Sequence, residues 1–307
     1  TSAAAGVLLE RGQLGLDDEI QKYVPEYPRG SSPVTLGRLM AHTAGLRSDG
    51  GDEGPLFGMH CTRPLDALPA FADRSLLFDP GTKYRFSAYG WVLVSAAIEA
   101  AAQEPFLRVL RKTVFEPLGM DDTGEDAPGR PDQARAYFPR LAADPRYGPD
   151  EMRELDLSCY AGGGALVSTP SDLVRFGLGM FDGHLLTPAT VARLQAAQHT
   201  TAGEDTGYGL GWDRETIAIA GRPTAVVGHD GDLLGGEAVS LLVVPDRYLI
   251  VAARADFYAN LMSSSIWPQV RDHRLESGAP ESLFDRTTRY PDFLGQLRDA
   301  LRNEIIQ

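Results

Sequence analysis

Few of the side chains that could carry chemistry lie close together in this sequence. The histidines are scattered, and neither cysteine forms a cluster with them at the spacing of a zinc site. The six histidines are His42, His60, His184, His199, His229 and His273. We therefore predict no metal site and no cofactor.

A glycine-rich run at 161–164 follows Cys159 and Tyr160. The run lacks the lysine and the strand–turn–helix setting of a phosphate loop. We interpret it as close packing beneath a site that Tyr160 lines. Cys159 has no base near it in the sequence, so we do not expect it to be a nucleophile. A disulfide with Cys61 is compatible with the sequence, but two buried free thiols are the favoured interpretation.

The charge balance excludes some classes of partner. The chain has 29 Lys and Arg against 42 Asp and Glu, a net charge of −13. A nucleic-acid binder or a protein adsorbed on anionic membranes needs a basic surface, so we expect neither. No apolar run approaches the roughly 20 residues of a membrane span. The first residues lack a signal-peptide pattern, and the compartment stays open.

Helical patterns dominate the first two hundred residues. Residues 1–12 read as the back half of a helix with Gly12 as its C-cap. Thr35 and the pair Thr169-Pro170 are typical of helix starts. The further predicted helices cover 36–44, 91–102, 106–118 and 170–181.

From residue 207 the pattern changes to the alternation of a sheet. Residues 245–247 (Pro-Asp-Arg) are typical of a hairpin turn. A last helix of this region is predicted near 258–270. The predicted strands cover 224–228, 238–244 and 248–255.

These elements predict an α+β fold with an antiparallel sheet and a mostly helical region beside it. We expect one domain over 1–270, with a helical part at about 1–206 and a sheet part at about 207–270. Residues 271–307 would form a C-terminal extension. Its amphipathic stretch at 289–305 could support self-association, although most such stripes pack on their own domain.

Five segments occur together in a characteristic order. They are LGLDD at 14–18, TLGRLMAHTAGL at 35–46, PGTKYRFSAYGW at 80–91, YAGGGALVST at 160–169 and GHDG at 228–231. In this combination, over about 1–270, the chain resembles the serine β-lactamase and penicillin-binding-protein-like hydrolases, in the branch of class C enzymes, esterases and DD-peptidases. The resemblance implies a β-lactamase/transpeptidase-like α/β sandwich. It also implies a site built from Ser-x-x-Lys, Tyr-x-Asn and Lys-Thr-Gly or His-Thr-Gly.

The first element is not found in these residues. The helix that follows Ser-x-x-Lys in the family resembles residues 1–5 and 10–12, so the nucleophile is expected a few residues before Thr1. Ser2 is not a substitute, because Ala5 stands where the lysine belongs. The resemblance also implies that the N-terminal strands preceding this helix are absent.

The second element falls on Phe86, Ser87 and Ala88. Phe86 stands where the family has its tyrosine and lacks the hydroxyl that transfers a proton. Ala88 stands where the family has its asparagine and cannot hydrogen-bond a substrate amide. Tyr84 and Tyr89 could supply a phenol, but we expect both to be structural.

The third element falls on His229, Asp230 and Gly231. The resemblance implies that His229 takes the Lys/His position and assists catalysis. Gly231 would allow close approach of the backbone, and Asp230 replaces the usual threonine. The alternative is a surface turn with no role. The segment at 208–212 (YGLGW) also resembles the family and is expected to be structural.

The favoured hypothesis is a hydrolase of esters, amides or peptides that acts on a small acyl substrate through an acyl-serine. The polypeptide as written is expected to be inactive. A degenerate member that binds a ligand or partner without catalysis is the alternative, because the Tyr-x-Asn chemistry is lost at Phe86 and Ala88. A third hypothesis is an interaction protein that assembles through 271–307.

Overall fold

In a computed structural model of the protein, the structure describes residues 1–47, 56, 59–126, 137–138, 150–151, 155–219, 222–232, 237–244 and 248–255. The predicted helices at 258–270 and 289–305 and the extension at 271–307 lie outside these residues. Self-association through 289–305 and the domain division at 270 therefore stay predictions. Among the described residues, no helix is long and apolar enough to cross a membrane.

Helix α1 (Ser2–Glu10) agrees with the sequence pattern. Ala3, Ala4, Ala5 and Leu8 are buried and form its core-facing side. The helix ends at Glu10 with Arg11 as its C-cap, and Gly12 follows with φ 67°. This left-handed backbone is the reason for a glycine after the helix.

Two short elements follow α1. A 3-10 turn covers Ile20–Lys22. Helix α2 (Leu36–Met40) begins as predicted, because the Thr35 side chain accepts a hydrogen bond from the N–H of Arg38. It ends earlier than expected, since His42 has φ 57°, which a helix cannot contain.

Helix α3 (Ala88–Ala102) forms the centre of the core and is buried from Ala88 to Glu99. It begins three residues before the predicted start, because Ser87 acts as N-cap and accepts from the N–H of Gly90. Burying a side chain such as Leu93 or Ile98 here contributes about 1.5–3 kcal/mol.

The predicted helix at 106–118 consists of three joined segments. They are α4 (Phe106–Leu110), a π-helical turn (Arg111–Phe115) and α5 (Glu116–Leu118). Gly119 then ends the run with φ 63°.

Short strands and two further helices complete the helical part. Helix α6 (Pro170–Phe181) begins at the predicted residue, because the Thr169 side chain accepts from the N–H of Asp172. The sequence analysis missed α7 (Pro188–Gln195). The two-residue strands are β1 (Gly124–Glu125), β2 (Tyr137–Phe138), β3 (Asp150–Glu151) and β4 (Leu166–Val167).

The main sheet is antiparallel with strand order β5-β6-β7-β8. Its strands are β5 (Asp213–Ile219), β6 (Arg222–Asp232), β7 (Glu237–Val244) and β8 (Tyr248–Ala255). Strand β5 was missed, and β6 extends well beyond the predicted 224–228. The combination of helices with this sheet confirms the α+β prediction.

The prediction of two free thiols is wrong, because Cys61 and Cys159 form a disulfide. The two residues are 98 positions apart, so the sequence gives no local sign of their contact. Folding brings the segment at 59–63 against a 3-10 helix at Ser158–Gly163. The Cys61 N–H donates to Ser158 Oγ at 2.9 Å beside the bridge.

Candidate active site

The first turn of α1, helix α3 and the glycine-rich run meet at one point. Thr1 Oγ1 donates to the carbonyl of Gly162 at 2.8 Å, and the Gly162 N–H donates to Ser95 Oγ at 2.9 Å. A Cβ on Gly162 would lie 2.5 Å from both Ser95 Oγ and Thr1 Oγ1. A Cβ on Gly163 would lie 3.3 Å from the Ala88 carbonyl oxygen, whereas Gly164 faces open space. The close-packing interpretation is therefore confirmed for Gly162 and Gly163 only.

The segment at 208–212 closes over the same turn of α1. Ser2 Oγ donates to the carbonyl of Leu210 at 2.6 Å. Gly211 has φ 90°, and a Cβ there would lie 2.7 Å from the Trp91 ring and 2.9 Å from Ser2 Cβ. The Ser2 hydroxyl thus ties two segments together, in keeping with the sequence argument against it as nucleophile.

Phe86, Ser87 and Ala88 lie at the beginning of α3. Ser87 is buried and caps the helix, and Ala88 is the first helical residue. Phe86 keeps 44% of its surface exposed. Of the three side chains, only that of Phe86 is presented to solvent, and it is an apolar ring.

His42 holds this segment in place, a role that the sequence analysis missed. Its Nδ1 lies 3.0 Å from the Ser87 N–H nitrogen, and its Nε2 lies 3.2 Å from Trp91 Nε1. Burial, and to a smaller extent the nearby His229, lowers the pKa of His42 to about 3. His42 is therefore neutral at pH 7, and a neutral imidazole has one acceptor nitrogen. The shorter contact assigns that nitrogen to Nδ1.

Five rings form an aromatic cluster that links the second and third elements. The centroid of His42 lies 4.4 Å from that of Phe86 and 4.8 Å from that of Tyr208. Tyr208 in turn lies 5.8 Å from both Tyr84 and His229. Phe86 and His229 are thus connected through the rings of His42 and Tyr208. The sequence analysis had treated the segment that contains Tyr208 as structural.

His229, Asp230 and Gly231 lie within β6, beyond the end of the strand predicted at 224–228. His229 pairs with Leu241 and Asp230 with Ser240 of β7. The side chain of His229 is half-buried, and its Nε2 lies 2.8 Å from the hydroxyl oxygen of Tyr208. Gly231 is exposed. The side chain of Asp230 lies outside the described residues.

Tyr160 belongs to the 3-10 helix at Ser158–Gly163 and is buried. Its neighbour Ala161 has φ 44° and ψ −120°, a conformation that L-residues rarely adopt. The adjacent Cys159 is fixed by its disulfide. The 3-10 helix that contains Tyr160 is therefore tied covalently to the segment at 59–63.

The arrangement offers the half-buried imidazole of His229 and an apolar rim formed by the exposed rings of Tyr84 and Phe86. Among the residues that the structure describes, it does not pair a serine hydroxyl with a basic side chain. The motif Ser-x-x-Lys does not occur in the 307 residues. Among the described residues, no three His, Cys, Asp or Glu side chains come together as a metal site. His42 lies in the TLGRLMAHTAGL segment and Tyr208 in YGLGW, so their segments had been noticed even though their roles had not.

Comparison with known proteins matches the chain to a protein family and to curated relatives. A family model described as Beta-lactamase matches residues 1–279. "Penicillin-binding protein 4*" of Bacillus subtilis (strain 168) is 26% identical over 262 residues, which cover 81% of this chain and 57% of that protein. The chain spans about half the length of the curated relatives it matches.

Solved structures agree in fold. The D-amino acid amidase from Ochrobactrum anthropi SV3, complexed with L-phenylalanine amide, has a TM-score of 0.69 at 21% identity, covering 89% of this chain and 81% of that one. EstCE1, described as a hydrolase with promiscuous acyltransferase activity, has a TM-score of 0.66 at 25% identity, covering 83% and 76%. These similarities confirm the β-lactamase/transpeptidase-like fold.

Proposed function

Because the chain belongs to the beta-lactamase family, we propose that it is part of a serine hydrolase that cleaves esters, amides or peptides through an acyl-serine. The observation that carries this proposal is the meeting of the motif segments. The first turn of α1, the start of α3 and the glycine-rich run are joined by hydrogen bonds and close backbone contacts. The β6 segment joins them through the aromatic cluster.

The proposed reaction needs a serine and a base that removes its proton, because a free serine hydroxyl is a weak nucleophile. These 307 residues contain no Ser-x-x-Lys. A longer chain would have to supply the pair next to the first turn of α1. We propose that the 307 residues alone do not form an acyl-enzyme.

His229 is the proposed acid–base or polar assistant, because its imidazole is half-buried and borders the aromatic cluster. Phe86 cannot share this work. Its exposed ring and that of Tyr84, which is 38% exposed, offer apolar contact to the acyl group of a substrate. We also propose that Asp230 and Gly231, which follow His229 on β6, and Tyr160, beside the glycine-rich run, line the site.

Non-catalytic binding of a small ligand is the second candidate function. Phe86 and Ala88 remove both polar groups of the Tyr-x-Asn element, which favours binding over turnover. The apolar rim would serve a ligand as well as a substrate.

Turnover of a nitrophenyl ester and of a chromogenic cephalosporin separates the two functions. The assay compares the 307-residue chain with a longer chain that carries a Ser-x-x-Lys ahead of Thr1. We expect turnover only from the longer chain. Saturable binding by the longer chain without turnover or an acyl adduct would favour the non-catalytic function instead.

A further inference from the structure

A hydrogen bond between Tyr208 and His229 joins the segment at 208–212 to the third motif element. The hydroxyl oxygen of Tyr208 lies 2.8 Å from His229 Nε2. The two rings meet edge to face, with an interplanar angle of 86° and a centroid distance of 5.8 Å. The hydroxyl thus contacts the edge of the imidazole, where a ring nitrogen can accept a hydrogen bond.

Tyr208 is buried and packs against two other rings. It is 1% exposed. Its ring packs edge-on against His42 at 4.8 Å and lies tilted against Tyr84 at 5.8 Å. Its carbonyl accepts from the N–H of Gln198 at 2.9 Å. A ring packed in this way has little freedom, so it can fix the orientation of the imidazole that it contacts.

The burial of Tyr208 also decides what kind of role it can have. A side chain with almost no exposed surface does not reach a substrate, so Tyr208 does not replace the hydroxyl missing at Phe86 as a proton donor to substrate. His229 is half-buried, so it is the member of the pair with surface left to meet a substrate. Tyr208 would therefore influence a substrate through His229.

The direction of the hydrogen bond follows from the acidity of the two groups. A phenol has a pKa of about 10, and it is a stronger proton donor than the N–H of a neutral imidazole. The Tyr208 hydroxyl therefore donates, and His229 Nε2 accepts. An imidazole that accepts at Nε2 carries its proton on Nδ1.

We propose that Tyr208 is a positioning residue that fixes the ring of His229 and holds it in the Nδ1–H tautomer. This inference rests on the proposed function only for its effect on turnover. The tautomer is a property of the folded chain, whether or not a nucleophile is present.

The test is the tautomer of His229 in protein labelled with ¹⁵N at histidine, observed by NMR. Loss of the signal in His229→Gln assigns it. We expect the Nδ1–H pattern in the wild type and a shift toward the Nε2–H pattern in Tyr208→Phe. Tyr23→Phe is the matched control, because Tyr23 is also a buried tyrosine whose hydroxyl is hydrogen-bonded, in its case to the Gly15 N–H at 3.0 Å. The control should leave the His229 signal unchanged.

In the longer chain, Tyr208→Phe should lower kcat for a nitrophenyl ester about tenfold, the effect of losing one hydrogen bond, with little change in KM. A tautomer shift without any turnover in the wild-type longer chain would overturn the proposed function and leave the positioning role standing. An unchanged tautomer in a folded Tyr208→Phe would overturn the positioning role. If that variant does not fold, a wild-type His229 found mainly as Nε2–H would overturn it equally.

Discussion

Removing the disulfide between Cys61 and Cys159 should destabilise the protein strongly, because the bridge closes a loop of 98 residues. In the chain-entropy account, a crosslink over about 100 residues restricts the unfolded chain by about 5 kcal/mol. We therefore expect Cys61→Ala/Cys159→Ala to lose stability of this order. At the roughly 2–4 °C per kcal/mol typical of domains of 150–250 residues, Tm should fall by about 10 °C or more.

The folded state should survive this change, because other contacts hold the same segments together. Cys61 N–H donates to Ser158 Oγ at 2.9 Å, and Arg63 Nε lies 2.7 Å from Glu99 Oε1. Most of the lost stability should therefore come from the unfolded chain, which gains freedom without the crosslink.

Thermal unfolding with and without a reducing agent measures the effect. Wild-type Tm should fall in the reductant, and the double alanine variant should not respond to it. The assay also counts thiols by alkylation of the denatured, unreduced chain, where we expect no modified cysteine. Two alkylated cysteines, or a variant that melts with the wild type, would refute the argument.

Three further predictions concern the candidate site. Phe86→Tyr in the longer chain should raise turnover by roughly 10²–10⁴, the range of a positioned acid–base group, and an unchanged rate would mean that another group does this work. The wild type should bind a penicillin methyl ester at least about tenfold better than the free acid, and Asp230→Thr should remove this preference. The reason is that like charges at about 4 Å repel by up to roughly 4 kcal/mol at an effective dielectric of about 20. Equal binding of acid and ester by the wild type, unaltered by the substitution, would contradict this prediction. His42 is neutral in the folded state down to a pKa of about 3, whereas the unfolded chain binds this proton below about pH 6.5. The free energy of unfolding should therefore be highest above pH 6.5 and fall toward pH 3, by up to about 1.4 kcal/mol per pH unit. His42→Asn, which keeps an acceptor near Ser87 and tolerates positive φ, should flatten this dependence, and parallel stability curves for both proteins would contradict it.

Local patterns predicted those elements whose ends depend on nearby residues. Helix α6 begins where Thr169 and Pro170 indicate, and β8 covers the predicted 248–255. A cap or a hairpin acts within a few residues, so its signal is written in the local sequence. Strand β5 (Asp213–Ile219) was missed because its first half is polar. Its extended structure is stabilised by pairing with β6, which the local sequence does not indicate.

Only those residues of the candidate site that lie in a catalytic motif of the family could be predicted from the sequence. The sequence indicated Phe86 and His229, but it could not show that His42 contacts the first and Tyr208 the second. Those contacts join residues from separate elements, and nothing local marks a histidine as buried. The disulfide was missed for the same reason, since Cys61 and Cys159 meet only after the chain has folded.

The most direct test of the account is the intact mass of the longer chain after brief incubation with a nitrophenyl ester, followed by peptide mapping of any adduct. We predict one acyl group, on the serine of a Ser-x-x-Lys that lies outside these 307 residues, and no adduct on the 307-residue chain treated in the same way. An acyl group on any serine within the 307 residues would contradict the account. So would a longer chain that contains no Ser-x-x-Lys and still turns over the ester.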